Sequence, residues 1–210
     1  MTQNGIHVFG EGLVSVDADT LKITLGVVTE GVELETIQAE NAAAITRVIQ
    51  ALHDNGIKHD EIKTIDYRID PQYRYEDSKQ LFVGYRITHM LEVKTKQIKN
   101  AGKIVDSAVK NGANTVTNIQ FTIENDTVFY QHALQLAAKD TLRKAYTLAR
   151  PYGATAYQIP YLIEEQLSIG GPIPLTYTAL KAEAQTPIEP GKLTVQARIK
   201  AYFYIINNAR

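Results

Sequence analysis

Residues 62–96 read IKTIDYRIDPQYRYEDSKQLFVGYRITHMLEVKTK, and this stretch decides the fold. From Val83 to Val93, apolar residues alternate with polar ones, a period of two that predicts a strand buried on one face. The same alternation runs from Ile65 to Ile69 in the first half. Polar residues at 76–79 separate the halves, as in a hairpin connection. The stretch therefore predicts a long β-hairpin.

The regions on either side of the hairpin alternate between predicted strands and predicted helices. Period-two alternation predicts further strands at 6–16, 21–27, 115–123, 157–163 and 193–205. Pro160 lies in the fourth of these, so we expect that strand at a sheet edge or with a bulge. Apolar stripes at helical spacing predict helices at 34–55, 98–110 and 127–149. The buried stripe of the last helix is predicted to be Leu134, Ala138, Leu142, Ala145 and Ala149.

The resulting order, ββαββαβαββ, is typical of an α+β fold. We expect a largely antiparallel sheet, or sheets, with three helices on one face, as a two-layer sandwich. The chain is expected to form a single domain over 1–210, with the last strand returning to the sheet. The alternative is two abutting sub-domains, 1–97 and 98–210, that share a core.

Composition excludes several classes of function. The 210 residues carry a net charge of -1, which argues against a nucleic-acid partner, because such a partner needs a basic face. The chain has no cysteine, so disulfides, thiolate metal sites and a cysteine nucleophile are excluded. No apolar run is long enough for a transmembrane helix. The start, MTQNGIHVFGEG, has no signal-peptide pattern, so a cytoplasmic location is expected; an exported protein whose leader was removed is the alternative.

No catalytic, cofactor or metal motif stands out, so we expect none of these sites and no enzyme. The spacing of the five histidines, His7, His53, His59, His89 and His132, does not suit a metal site. His89 lies on the apolar face of the hairpin and is expected to be a packed, hydrogen-bonded histidine. The carboxylates of Asp17 and Asp19 are assigned to a turn. Glu164 and Glu165 are neighbours on a strand and are expected to point to opposite faces, which excludes a paired acid and base there.

Tyrosines are the most suggestive group of side chains. The chain has twelve, and four of them lie on the hairpin: Tyr67, Tyr73, Tyr75 and Tyr85. Tyrosine favours protein interfaces as well as half-buried sheet faces. The sequence alone leaves both interpretations open.

A series of short motifs runs along nearly the whole chain. They are Gly10-Glu11-Gly12, Asp17-x-Asp19, Asn55-Gly56-Ile57, Asp60-Glu61-Ile62-Lys63-Thr64, Pro71-x-Tyr73-x-Tyr75, Gly84-Tyr85, Gly112-Ala113-Asn114, Lys144-Ala145 and Pro190-Gly191-Lys192-Leu193-Thr194-Val195. In this order they resemble the SIMPL-domain family, which includes bacterial periplasmic immunogenic proteins and oxidative-stress defence proteins. The resemblance implies the fold and a loose association with envelope or stress phenotypes, and it implies no catalytic residues.

Two departures from that family affect what the resemblance implies. Members often carry Pro-Asp in the first turn, where this chain has Ala18-Asp19. Many members also have an export signal, which this sequence lacks. The periplasmic location of the family is therefore not carried over from the resemblance.

Two hypotheses for function follow. The first is a non-enzymatic protein that forms a homo-oligomer, with other protein partners unknown. Its contacts would come from the hairpin or from the segment 168–190, which holds four of the seven prolines and is long for a simple connection. Its interface candidates are Tyr73, Tyr75, Leu81, Phe82, Ile173, Leu175 and Tyr177. The second hypothesis is a small-molecule-binding protein, or an enzyme, with an unrecognised site between sheet and helices.

Overall fold

All strand pairs in the described part of this computed structural model are antiparallel. The structure describes residues 5–76, 79–166, 173–174 and 186–207. Its strands are β1 Gly5–Asp17, β2 Thr20–Gly31, β3 Ile62–Glu76, β4 Lys79–Thr95, β5 Thr115–Thr122, β6 Ala154–Ala156, β7 Leu162–Gln166, β8 Ile173–Pro174 and β9 Lys192–Asn207. Its α-helices are α1 Leu34–Asp54, α2 Ala101–Lys110 and α3 Thr127–Ala149. The predicted α+β class with antiparallel sheets and three helices is confirmed.

The chain divides into two compact units. The first unit holds residues 1–17, 123–177 and 191–210, and the second holds 18–122 and 178–190. Gln97, where the sequence suggested a soft boundary, lies inside the second unit, between β4 and α2. The dividing points are instead the turn after β1 and the end of β5.

The second unit is a four-stranded sheet in the order β3-β4-β2-β5, covered by α1 and α2. Alternate residues of the two central strands bury against the helices, as period-two alternation predicts. Fully buried members of this core include Leu21, Ile23, Leu25, Leu91, Val93, Val48, Leu52 and Ile104. Gly56, with φ of 81°, ends α1 in the left-handed conformation expected from Asn55-Gly56.

The first unit is built around β9, the longest strand of its sheet. β1 pairs with β9 over its whole length, from Gly5 opposite Tyr204 to Asp17 opposite Lys192. The short strands β8, β7 and β6 pair in turn along the other edge of β9. Both edges of this central strand are therefore occupied, and β1 is an outer strand of the sheet.

The single strand predicted at 157–163 is wrong, because two strands flank a loop there. The N–H groups of Tyr157 and Tyr161 donate to the carbonyls of Tyr204 and Tyr202 of β9. Tyr157 and Tyr161 are four positions apart, but the carbonyls that they bind on β9 are only two positions apart. The residues between them therefore loop out of the sheet around Pro160, which has no N–H to donate. The irregularity expected at Pro160 is thus a loop between β6 and β7, and of the predicted strand only residues 162 and 163 belong to a strand.

Helix α3 packs on β1 through small residues. Its buried residues are Ala133, Ala137, Thr141, Ala145 and Ala149, a ladder with a spacing of four. Ala145 and Ala149 of the predicted stripe are confirmed as buried, whereas Leu134, Ala138 and Leu142 each lie one position after the residue that is buried. A Cβ at Gly10 would overlap the carbonyl oxygen of Ala137, and one at Gly12 would overlap that of Ala133. The helix therefore lies against strand backbone, where only its smallest side chains fit.

Substitution of Gly12 tests this close approach. We expect Gly12→Ala to destabilise the protein by about 3 kcal/mol, since the added methyl group must displace the α3 backbone. The matched control is Gly5→Ala in the same strand, where the new Cβ would lie an ordinary 3.4 Å from the nearest atom, the carbonyl oxygen of Phe203. Chemical denaturation measures both. Equal stability of the two variants would contradict the described packing.

Candidate functional site

The hairpin extends past the rest of its sheet. The pairing of β2 with β4 ends at Gly31 opposite Tyr85, whereas β3 and β4 remain paired out to Glu76 opposite Lys79. The outer part of the hairpin is therefore a two-stranded ribbon, with no β2 residue beside it.

A bulge at Gly84 turns the side chains of this ribbon. Gln72 lies opposite Gly84, but Tyr73 lies opposite Phe82, so Val83 is an extra residue on β4. Gly84 has φ of 139°, which strongly favours glycine, and a Cβ there would be 2.6 Å from the carbonyl oxygen of Gly31. Beyond the bulge, the ring centroids of Phe82 and Tyr85 are 5.0 Å apart, and those of Tyr73 and Phe82 are 5.8 Å apart. The Gly84-Tyr85 motif thus redirects the ribbon so that its aromatic rings cluster.

The ribbon exposes large apolar side chains, which we call the hairpin surface: Tyr73, Tyr75, Leu81, Phe82 and Val83. Tyr75 is 73% exposed, and the other four are between 42% and 49% exposed. Aromatic residues in such positions are common at protein interfaces. Tyr73, Tyr75 and Phe82 share one face of the ribbon, since Tyr73 lies opposite Phe82, whereas Leu81 lies opposite Arg74 on the other face. The structure therefore groups three of the four interface candidates that the sequence placed on the hairpin.

The three other interface candidates are not placed by the structure. The backbone of Ile173 pairs with Thr194, but its side chain lies outside the described residues. Leu175 and Tyr177 also lie outside them. Of the segment 168–190, only 173–174 and 186–190 are described, so its role as an interface stays a prediction.

Helix α3 seals the outer edge of β1. The carboxylate of Asp140 accepts a hydrogen bond from the N–H of Glu11 at 3.1 Å, and Lys144 Nζ donates to the carbonyl of Phe9 at 2.9 Å. Lys144 Nζ is also 2.7 Å from Asp140, and Arg143 binds the other carboxylate oxygen. Two backbone groups of an outer strand are thus bound by side chains one helical turn apart.

This arrangement shifts the pKa of Asp140. Burial on its own would raise that pKa, but hydrogen bonds from Lys144, the Glu11 N–H and Arg143, together with the charge of Lys144, lower it from 3.8 to about 2. Lys144 was noted in the sequence through the family motif, whereas Asp140 was missed. Its four-residue spacing from Lys144 was the available signal.

The remaining ionisable candidates behave as structural residues. His89 packs edge-on against Tyr67 with ring centroids 5.1 Å apart, and burial lowers its pKa below 6.5, as expected for a packed histidine. Tyr202 donates to Glu164 and Tyr130 of α3 donates to Glu165, which confirms that the two carboxylates point to opposite faces. In the turn after β1, Asp19 accepts a hydrogen bond from the Thr20 hydroxyl.

Across the described ranges, no three side chains of the His, Asp or Glu type lie together as a metal site would require. In the same part of the chain, none of the helices has the length and apolar character needed to cross a bilayer.

The second unit also carries a groove of about 490 Å³ on the face of its sheet opposite the core. The buried side chains of Thr88 and Met90 form its floor, since they alternate with core residues of β4. Arg68 and Arg86 stand at its walls, paired with carboxylates. A partly apolar floor with polar walls is a feature of small-molecule sites.

Comparison with known proteins shows the family. Residues 6–203 match SIMPL, described as a protein of unknown function (DUF541). The chain belongs to the SIMPL family. It is 26% identical over 211 residues to the 26 kDa periplasmic immunogenic protein of Brucella melitensis biotype 1, covering 95% of this chain and 84% of that protein. It is also 26% identical over 201 residues to the uncharacterized protein YggE of Escherichia coli strain K12, covering 94% and 80%.

The family comparison corrects the expected location. A cytoplasmic protein was predicted from the start of the sequence, and that prediction is wrong. The Brucella melitensis relative and a relative from Brucella abortus strain S19 are both named as periplasmic proteins, which points to export. The start of the sequence was an unsuitable basis for predicting the location, because a given sequence need not show the segment that directs export.

Acid unfolding tests the sealed edge of β1. The pKa of Asp140 is about 2 in the folded protein and 3.8 ordinarily, so its stabilisation is complete above pH 3.8 and is lost as pH falls towards 2. We expect Asp140→Asn to cost about 1–3 kcal/mol at neutral pH and to flatten the fall in stability between those two pH values. The measurement is urea unfolding across that range. An unchanged acid transition in the variant would show that Asp140 does not hold the edge.

Proposed function

We propose that this SIMPL-family protein is a non-enzymatic, exported protein that self-assembles through the hairpin surface. The observation that carries the proposal is the group of exposed apolar side chains on a ribbon that extends past its own sheet. Full burial of such a side chain contributes about 1.5–3 kcal/mol, and these side chains, roughly half exposed in one copy, gain a corresponding share on association, so that several together favour assembly. A second copy of the chain brings the same surface, as closed symmetric assemblies require.

A role in protecting the cell envelope or in the stress response fits this proposal. The family match supports an uncharacterised role, and the names of the Brucella relatives support a place outside the cytoplasm. The motif residues around β1 and α3 have structural roles in the fold, which supports a protein that acts by binding. The segment 168–190 is a second candidate for contacts between copies.

Small-molecule binding is the second candidate function, and the groove under Arg68 and Arg86 favours it. A ligand bound there would raise the melting temperature, because it binds only the native state. We expect any compound that does so in a metabolite and metal screen to lose its effect in the Arg68→Ala and Arg86→Ala variants. Thermal shift measures this, and a full shift in both variants would exclude the groove.

The hairpin surface is tested by removing two of its rings. We expect the double variant Tyr73→Ser and Phe82→Ser to weaken self-association about 30-fold or more, since buried aromatic side chains dominate interface energies. Sedimentation equilibrium over a wide concentration range measures this.

Tyr152→Ser is the matched control, since Tyr152 is 83% exposed and belongs to the first unit. It should leave self-association unchanged. A wild-type protein that stays monomeric at micromolar concentration, or a control that weakens association as much as the double variant, would contradict the proposal.

A further inference from the structure

We propose that β3 pairs with β3 of a second copy of this chain, antiparallel, about a two-fold axis that passes through Gln72 normal to the sheet. The inference rests on the proposed self-association and defines its partner strand and register. In such a symmetric pair, residue i of one copy faces residue j of the other, and j faces i. The two sheets then continue into one, a known mode of strand addition at a sheet edge.

β3 has the position and regularity that this pairing needs. It is the terminal strand in the order β3-β4-β2-β5. Its own bulge lies between Thr64 and Asp66, and at the second irregularity the extra residue is Val83 of β4. β3 is therefore regular in register from Asp66 to Glu76. Apart from Pro71, which has no N–H to donate, an outer edge of this length exposes backbone donors and acceptors that can pair with another strand.

The charges of β3 are self-complementary about Gln72. In this register Arg68 faces Glu76 of the second copy, and Asp70 faces Arg74. Symmetry forms each of these pairs twice, while Gln72 faces Gln72 of the second copy. Opposite charges facing each other across neighbouring strands are favourable, and like charges are unfavourable.

The neighbouring registers lack this match. With the axis at Pro71, Arg68 would face Arg74, and with the axis at Tyr73, Asp70 would face Glu76. With the axis at Asp70, the carboxylate of Asp70 would face the same carboxylate of the second copy. An axis at Ile69 avoids like charges but forms only the pair of Arg68 with Asp70. The register about Gln72 is thus the one with the most opposite pairs and no like pair.

The apolar side chains of β3 match in the same register. They lie on the other face of the strand, where Ile69 faces Tyr75 of the second copy and Pro71 faces Tyr73. Ile69 is 37% exposed, Tyr73 49% and Tyr75 73%. Pairing would cover all three, so the charged face selects the register and the apolar face gains burial.

The charged side chains are available for exchange. Among the described residues, their ion pairs run along the strand: Arg68 lies 3.4 Å from Asp70, and Arg74 lies 2.9 Å from Glu76. All four side chains are about half exposed or more. These side chains can therefore turn to the facing strand without breaking a buried contact.

Charge reversal at positions 70 and 74 tests the register. The Asp70→Arg variant places arginine opposite Arg74, and the Arg74→Asp variant places aspartate opposite Asp70. Each single variant should therefore associate at least about tenfold more weakly than the wild type. The double variant Asp70→Arg with Arg74→Asp faces opposite charges again and should associate as the wild type does.

Mixing the two single variants gives a sharper result. In a mixed pair, the arginine introduced at 70 faces the aspartate introduced at 74, and the native Arg74 faces the native Asp70. Equimolar mixing should therefore restore assembly that neither variant shows alone, as measured by sedimentation velocity. Glu40→Arg on α1 is the control for net charge and should not change association. Circular dichroism confirms that each variant is folded.

The outcomes separate this inference from the proposed function. Rescue on mixing supports the register. If the single variants associate like the wild type while Tyr73→Ser with Phe82→Ser does not, the hairpin surface mediates assembly but the register is wrong. If the wild type does not self-associate at all, both the register and the proposed function fail.

Discussion

An outer strand of a sheet exposes N–H and C=O groups that must bind something, and the two sheets of this chain meet this constraint differently. At the edge of β1, Asp140 binds the N–H of Glu11 and Lys144 binds the carbonyl of Phe9. Among the described residues, the comparable contact on β3 is one long bond of 3.4 Å from Gln72 Nε2 to the carbonyl of Asp70. Two groups on the edge of β1 are thus bound by side chains of the same chain, while the described residues provide no comparable set of contacts on the edge of β3, which lies beside exposed aromatic rings.

The sealed edge explains why the family motifs at the start of the chain and in α3 go together. Gly10 and Gly12 let α3 lie against strand backbone, and the alanine ladder with Ala145 keeps it there. Only at that distance can Asp140 and Lys144 reach around to the strand edge. These motif residues therefore build the fold, and the same logic holds for Asn114 in the second unit, whose side chain binds both the N–H and the carbonyl of Val28. Signature residues of this kind support a protein that acts through its surface.

Sequence periodicity was enough to predict the hairpin, the three helices and the α+β class, because these features follow from burial on one face. It failed where backbone approaches backbone. The predicted stripe of α3 was right at Ala145 and Ala149 but one position off at Leu134, Ala138 and Leu142, because two strand glycines bring the backbone next to Ala133 and Ala137. The strand at 157–163 failed because pairing with β9 is interrupted around Pro160, which depends on the partner strand. For the site, the four hairpin residues were found by their apolar character, but Asp140 was not, since its role depends on an unpaired N–H more than a hundred residues away.

The proposed assembly requires that another copy of the chain covers the edge of β3 in solution. Amide hydrogen exchange at rising protein concentration tests this most directly, because paired edge amides exchange slowly and unpaired ones exchange fast. We expect amides within 68–76 to gain protection as concentration rises, while the protection of those in β1 stays the same. Protection that is independent of concentration in β3, or that rises elsewhere in the chain instead, would contradict the proposed assembly.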